Sequence, residues 1–389
     1  MFKILHQSKK SSARCGILKT AQGKIETPFF MPDATQGTIR LVENEKIKKV
    51  GVPALVVNTL HLYLQPGLAV MKKFGDLHKF INWPGPLLSD SGGYQVFSLI
   101  YKTKGKTRQF GGQVGKVCDD KVIFISPKDG SRHELTPEKS IQIQFALGTD
   151  MMVCLDDVRP NDAHRQEAEA AVARTIKWAK RCKKEFVKQI KIRKIKKENQ
   201  PLLFGVVQGG IFPDLRQKCA KELVKIGFDG LGFGARPVDE KGNFLNDVLA
   251  ATTAAIPQNY LRFALGVGTP EDVAHFAKLG WDMFDCVIPT REGRHGRLYI
   301  NQKSKIKNKN FGRNFYKIIN IDNAKFKDDN KPVDKNCSCE LCQNYSAAYL
   351  HHLFKIGEPL AQRLATLHNL KFYLDLMAEI QVEASANRL

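Results

Sequence analysis

A closed (β/α)8 barrel is the fold this sequence predicts, and three observations predict it. From about residue 50 to about residue 290, short apolar runs alternate with amphipathic segments of helix length, the signature of a parallel sheet with right-handed crossovers. Polar residues recur at the C-terminal ends of those runs, namely Asp90, Asp156, Gln208, Gly230 and Asp285, and the strand ends of a barrel converge on one mouth. No GxGxxG and no P-loop follows a predicted strand, which removes the usual marks of an open nucleotide-binding sheet. The expectation is one α/β barrel domain over residues 1–389, with a small N-terminal β element and a cysteine-bearing subdomain at 302–369.

The elements follow in order. PALVVNTL (53–60) is rich in β-branched residues and reads as a buried strand. PLLSDSGG (86–93) is a strand end followed by a glycine turn. SIQIQFAL (140–147) alternates briefly, but the preceding TPEK resembles a capping box and makes it a helix. MMVCLDD (151–157) is a strand, and 162–190 a long helix with charged faces. The strands LLFGVVQGG (202–210), GLGFGA (230–235), FALGVG (263–268) and MFDCVIPT (283–290) are separated by helices at 213–227, 244–256 and 270–280. Residues 101–135 are turn-rich and read as a small antiparallel excursion, and 302–336 as a basic, irregular approach to a cysteine cluster. The tract KQIKIRKIKK (188–197) reads equally as a solvated helix end or a phosphate contact.

Lys and Arg number 61 against 39 Asp and Glu, a net charge of +22. Such an excess attracts polyanions and points to nucleic acid, although a lysine-rich genome produces the same composition. The longest apolar runs are too short to span a bilayer. The N-terminal segment lacks the apolar core of a signal peptide, so the cytosol is the expected compartment. Nine cysteines without a secretory signal argue against a disulfide framework.

Three of those cysteines stand in CSCELC as Cys337, Cys339 and Cys342. Three thiolates and one imidazole make a usual tetrahedral Zn2+ set, and a closed shell of four marks a structural site. Spacing alone leaves His351, His352 and His368 open as the fourth ligand. At the mouth, carboxylates can accept from the N–H groups of a planar base, while Gln208 and backbone amides donate to its carbonyl. An aspartate there can also attack an anomeric carbon while a second carboxyl manages protons. A metal-dependent hydrolase would add barrel histidines, yet neither HxH nor HExxH occurs.

The strings SDSGGYQVFSL (89–99), GVVQGG (205–210), GVGTPEDV (266–273), MFDCVIPTREGRHGRLY (283–299) and CSCELCQNYSAAYLHHLF (337–354), with LHNL (367–370), closely resemble the bacterial tRNA-guanine transglycosylases, or queuine tRNA-ribosyltransferases. The resemblance runs from roughly residue 12 to 380 in unbroken order. It implies a pentosyltransferase that exchanges a guanine at the wobble position of the tRNA anticodon loop for a 7-deazaguanine, with structural zinc and a homodimer. Asp285 matches the nucleophile, and Asp90 the general acid/base. Asp156 and Gln208 match the base-recognising pair, Gly230 a backbone donor, and Tyr94 the aromatic that stacks on the base. Arg291 and Arg294 match contacts to anticodon-loop nucleotides, and the LHNL string makes His368 the zinc ligand. Arginines beside Asp285 are expected to hold its pKa low, and Asp90 to be tuned upward.

The resemblance departs at the base pocket. Ala235 stands where the bacterial motif GLAVGE has its glutamate, Val158 replaces a cysteine, and Leu265 a methionine. These changes favour queuine over 7-aminomethyl-7-deazaguanine as the incoming base. The alternatives are a non-catalytic tRNA-binding partner subunit and an archaeal-type transglycosylase acting elsewhere in tRNA. Segments 101–135 and 302–336 are longer than the resemblance accounts for.

Overall fold

Eight parallel strands form the ring that the alternation predicts. The computed structural model describes residues 2–98, 115–160, 163–235, 238, 243–302 and 315–389. A three-stranded antiparallel sheet comes first: β1 (Phe2–Gln7), β2 (Arg14–Thr20) and β3 (Gly23–Thr27). The ring strands are β4 (Phe29–Pro32), β5 (Leu55–Val57) and β6 (Leu87–Ser89), then β10 (Met151–Val153), β11 (Leu202–Val207), β12 (Gly230–Phe233), β13 (Leu261–Ala264) and β14 (Met283–Cys286). They run in the order β4-β14-β13-β12-β11-β10-β6-β5. The last gap is bridged just above β4, where Asp33 pairs with Val56 and the Ala34 amide donates to the Val56 carbonyl at 2.7 Å.

Side chains alternate across a strand, and here one set points to the barrel axis. Phe29, Met31, Val56, Leu88, Val153, Phe204, Val206, Phe263 and Met283 pack as one interior cluster. Leu18 and Ile25 of the N-terminal sheet join it, so that sheet stoppers the foot of the barrel. The foot is also tied by the buried pair Arg14–Asp282, whose Nε–Oδ1 distance is 2.9 Å. On six strands, continuing the inward set by two residues gives a polar or glycine position at the opposite end (Asp33, Asn58, Asp90, Gln208, Gly234 and Asp285), while after Val153 and Phe263 the same step reaches Leu155 and Leu265. Period two therefore dictates a packed apolar barrel with a charged mouth.

Several sequence expectations need adjusting. The strands are shorter than their apolar runs, because the chain turns at once on reaching the mouth. Asn58 ends the first run by capping a helix at Thr59–Leu64, and Val287 leads from β14 into a helix at Ile288–Arg294. The TPEK cap forms as expected, with Thr136 Oγ1 accepting from the Lys139 amide at 3.1 Å. Within 101–135, the described part is a three-stranded antiparallel sheet of β7 (Gly115–Val117), β8 (Val122–Ile125) and β9 (Arg132–Leu135). Residues 101–114 and 303–314 lie outside the described residues. Segment 302–336 also carries β16 (Tyr316–Asn320), paired with β15 (Arg297–Asn301). The long helix Arg165–Ile192 leaves the mouth after β10 and runs back to the start of β11. Residues 188–197 thus lie at the foot, away from the mouth, and are mostly exposed.

Candidate active site

The mouth opens on a cavity of about 480 Å3 whose apolar floor is the upper barrel layer, Val56, Leu88, Val153, Val206 and Phe263. Its walls carry Asp33, Asp90, Asp156 and Asp285, with Tyr94 at 44% exposure beside the opening. Asp285 is the penultimate residue of β14, and its Oδ1 accepts from the Gly266 amide at 2.8 Å. Burial and the facing charges of Asp33 and Asp90 push its carboxyl well above the usual carboxylate range. The arginines expected to hold it low are not among the groups that act on it; its charged neighbours are carboxylates, so that expectation is overturned.

Asp90 sits past β6 in a cradle of donors. Asn58 Nδ2 donates to Oδ2 at 2.6 Å, and the amides of Thr59 and Gly92 donate to Oδ1 at 2.9 and 3.1 Å. Even so, burial lifts its carboxyl to about 7, the upward tuning the sequence suggested. Asp156 also rises to about 7 through burial, while Gln208 Nε2 donates to its Oδ2 at 2.6 Å. Carboxyls tuned to this range can exchange protons at neutral pH.

Gly230 is not part of this constellation. It begins β12 opposite Phe204 and Leu261, two inward layers below the mouth, and a Cβ there would come within 2.5 Å of the Phe204 ring. Its glycine serves packing of the barrel interior. The inward residue of that strand at cavity level is Gly234, where a Cβ would lie 2.3 Å from Gln208 Nε2. Ala235 follows in left-handed conformation at φ 67° and lines the cavity. Val158 and Leu265, the other two departures, line it as well.

Two functional candidates went unread in the sequence. Asp33 is a further inward carboxylate, and the alternation Phe29, Met31, Asp33 would have found it had the short β4 been recognised. Arg40 is the other: it acts electrostatically with Arg291 on Arg294, whose pKa burial and these two cations lower. Arg291 and Arg294 lie on the helix Ile288–Arg294 that follows β14, and with Arg40 they form a cationic group.

The cysteine cluster is separate from the mouth. Ligand atoms of Cys337, Cys339, Cys342 and His368, all buried, lie within 4.8 Å of one another. His368 Nδ1 is 3.5 Å from Cys339 Sγ and 3.4 Å from Cys342 Sγ. Its Nε2 is 2.8 Å from the Tyr299 carbonyl, an outer contact of the kind that orients a ligating imidazole. His351 instead holds the Ile321 carbonyl at 2.7 Å, and His352 is exposed. Three thiols and an imidazole, converging and buried, fit a metal ion held in a closed shell.

The model of the queuine tRNA-ribosyltransferase family matches residues 8–389. The chain belongs to that family. A queuine tRNA-ribosyltransferase of Aliivibrio fischeri (strain MJ11) is 42% identical over 380 residues, 98% of this chain and 92% of the relative. One of Thermoanaerobacter sp. (strain X514) is 39% identical over 388 residues, 100% of this chain and 94% of the relative. That of Desulforapulum autotrophicum is 41% identical over 380 residues. As a queuine tRNA-ribosyltransferase family member the chain is an enzyme, a pentosyltransferase with a barrel fold. Among the described residues no helix is long and apolar enough to cross a membrane.

Proposed function

We propose that this chain exchanges the guanine at the wobble position of G-U-N tRNAs for a 7-substituted 7-deazaguanine through a covalent aspartyl-ribose intermediate. The observation that carries the reading is the set of carboxylates, Asp285, Asp90 and Asp156, around one cavity with an apolar floor. Asp285 attacks C1′ of the ribose as the C1′–N9 bond breaks, and the departing guanine takes its proton at the base from Asp90. The incoming base then gives its N9 proton to Asp90 and displaces the Asp285 carboxylate from C1′. A mouth crowded with carboxylates keeps a proton among them, so Asp285 ionises while a neighbour holds it.

Asp156 accepts from the N–H edge of the base, Gln208 and the Ala235 amide donate toward its carbonyl, and Tyr94 stacks on its face. The Gly234 amide already donates to the Val207 carbonyl at 3.0 Å, which leaves the next amide for this task in place of Gly230. Arg291 and Arg294, joined by Arg40, hold the anticodon-loop phosphates. Loop bases are partly unstacked, so presenting one to the mouth costs little. The apolar walls at Val158, Ala235 and Leu265 favour the bulkier queuine. The Cys3His cluster holds Zn2+ in a structural role within a subdomain at 302–369 of one catalytic barrel domain. The enzyme works as a cytoplasmic homodimer.

The test is release of labelled guanine from a preloaded G-U-N tRNA, with queuine and 7-aminomethyl-7-deazaguanine supplied singly and in competition. Release by queuine, lost in Asp285→Ala and Asp285→Asn while tRNA binding persists, is the expected result. Release by the aminomethyl base alone would discard the base preference. Tight tRNA binding with no release would identify a non-catalytic partner subunit instead.

A further inference from the structure

Each carboxylate at the mouth but one has a protein donor. Asp90 accepts three hydrogen bonds, Asp156 one from Gln208, and Asp285 one from Gly266. No donor among the described residues reaches the carboxylate of Asp33, which nonetheless lines the cavity. Its direction follows from register. Asp285 pairs with Met31 across β14 and β4, and paired residues of neighbouring strands present their side chains to one face. Asp33, two residues beyond Met31, shares that face about 7 Å further along. It therefore stands beside the nucleophile, on the solvent side of it. Burial lifts its carboxyl only to about 6, so it remains largely ionised and an acceptor at neutral pH.

The reading of Asp285 as the attacking group determines what can meet that acceptor. Within a polynucleotide the 3′ and 5′ oxygens of the target sugar are esterified, and the ring oxygen carries no hydrogen. One hydroxyl donor is left near the anomeric carbon, the 2′-OH, bonded to the carbon next to C1′. We propose that Asp33 accepts a hydrogen bond from the 2′-hydroxyl of the target ribose and so selects RNA over DNA at the exchanged nucleotide. As positive charge develops at C1′ the hydroxyl becomes more acidic, and its bond to a carboxylate strengthens in the transition state. The residue thus contributes to rate as well as to sugar choice.

The inference rests on the transglycosylase reading, and the experiment separates the two. Guanine exchange is measured on a G-U-N tRNA and on the same tRNA bearing one 2′-deoxyguanosine at the wobble position, with the unaltered chain and with Asp33→Asn. Because each ratio of ribo to deoxy kcat/KM is taken within one preparation, the folded fraction cancels. The ratio is expected to be roughly 10- to 100-fold smaller in Asp33→Asn, the range for loss of a hydrogen bond to a charged group. An Asp33→Asn ratio within about threefold of the parent, the spread left by context, would overturn the role of Asp33 while leaving the transglycosylase intact. Failure of the unaltered chain to exchange the ribo substrate would remove the underlying reading, and this inference with it.

Discussion

At the scale of single residues, the mouth is where stability is given up for chemistry. Asp90 and Asp156 are each raised from 3.8 to about 7 by burial, so the folded state prefers them protonated. The stability tied to these protons is complete below about pH 4 and declines as pH rises through about 7. Above that the fold carries buried negative charge. Asp156→Asn keeps an oxygen for Gln208 Nε2 and removes one charge. It is expected to be more stable than the parent by about 1–2 kcal/mol at pH 8, and no more stable at pH 4. Urea unfolding at the two pH values checks this. A gain of the same size at both would show that the charge is not its source. The same variant should lose base exchange, since neutral Asn does not accept from the base edge as a carboxylate does.

At the scale of elements, the ends of β11 and β12 are held together by one cation. Arg216 is fully buried on the helix Pro213–Ile226. Its Nη1 donates to the Val207 and Gly234 carbonyls at 2.6 and 2.9 Å, and its Nε to Gly210 at 3.0 Å. The guanidinium lies 4.1 Å from the Phe233 ring centroid, and burial lowers its pKa to about 10. These carbonyls flank Gln208 and Ala235, so the guanidinium sets the spacing of that side of the mouth. Arg216→Met leaves the buried Gly234 carbonyl without this donor and removes one from the Val207 and Gly210 carbonyls, and should cost about 3 kcal/mol in chemical denaturation. Arg216→Lys, with no planar fork, should recover only part of it. A loss below about 0.5 kcal/mol, the surface level, would show the clamp to be dispensable.

The same elements show what was legible in the sequence. β11, an apolar run of six closed by Gln208 and two glycines, announced itself. β4 did not, since a four-residue strand that follows Pro28 and ends in Pro32 makes a weak pattern, and with β4 went Asp33. The glycine of β12 that faces the cavity was misplaced by two inward layers, because a run of alternating glycines has no side chain to mark its register. Asp90, Asp156, Gln208 and Asp285 were readable because polar residues that end apolar runs carry a positional meaning in a barrel. The Asp285 environment was not, since it depends on Asp33 and Asp90 approaching from strands distant in sequence.

At the scale of the whole molecule, the Cys3His cluster and the segments around the mouth share one helix. Pro359–Ser385 carries His368 toward the cysteines. One residue on, Asn369 Nδ2 donates to the Pro289 and Arg297 carbonyls at 3.0 and 2.9 Å, and its Oδ1 accepts from the Tyr299 amide at 3.2 Å. A turn later Tyr373 donates its hydroxyl to the Gly268 carbonyl at 3.0 Å. The helix therefore braces both the segment bearing Arg291 and Arg294 and the loop whose Gly266 amide holds Asp285. Zinc in the Cys3His cluster would fix the first turns of this brace, with no position open for substrate. Chelation, or Cys342→Ser, should then lower the melting temperature by more than about 5 °C and weaken tRNA binding. The rate of base exchange at saturating tRNA, expressed per folded molecule, should change less than about threefold, because no step of the chemistry runs through a metal bound in a closed shell. Thermal unfolding and exchange kinetics on metal-free and zinc-restored protein test both halves. A hundredfold loss of saturated rate with melting unchanged would place the metal in the reaction itself, and the brace would no longer explain the helix's course from the cysteines to Gly268.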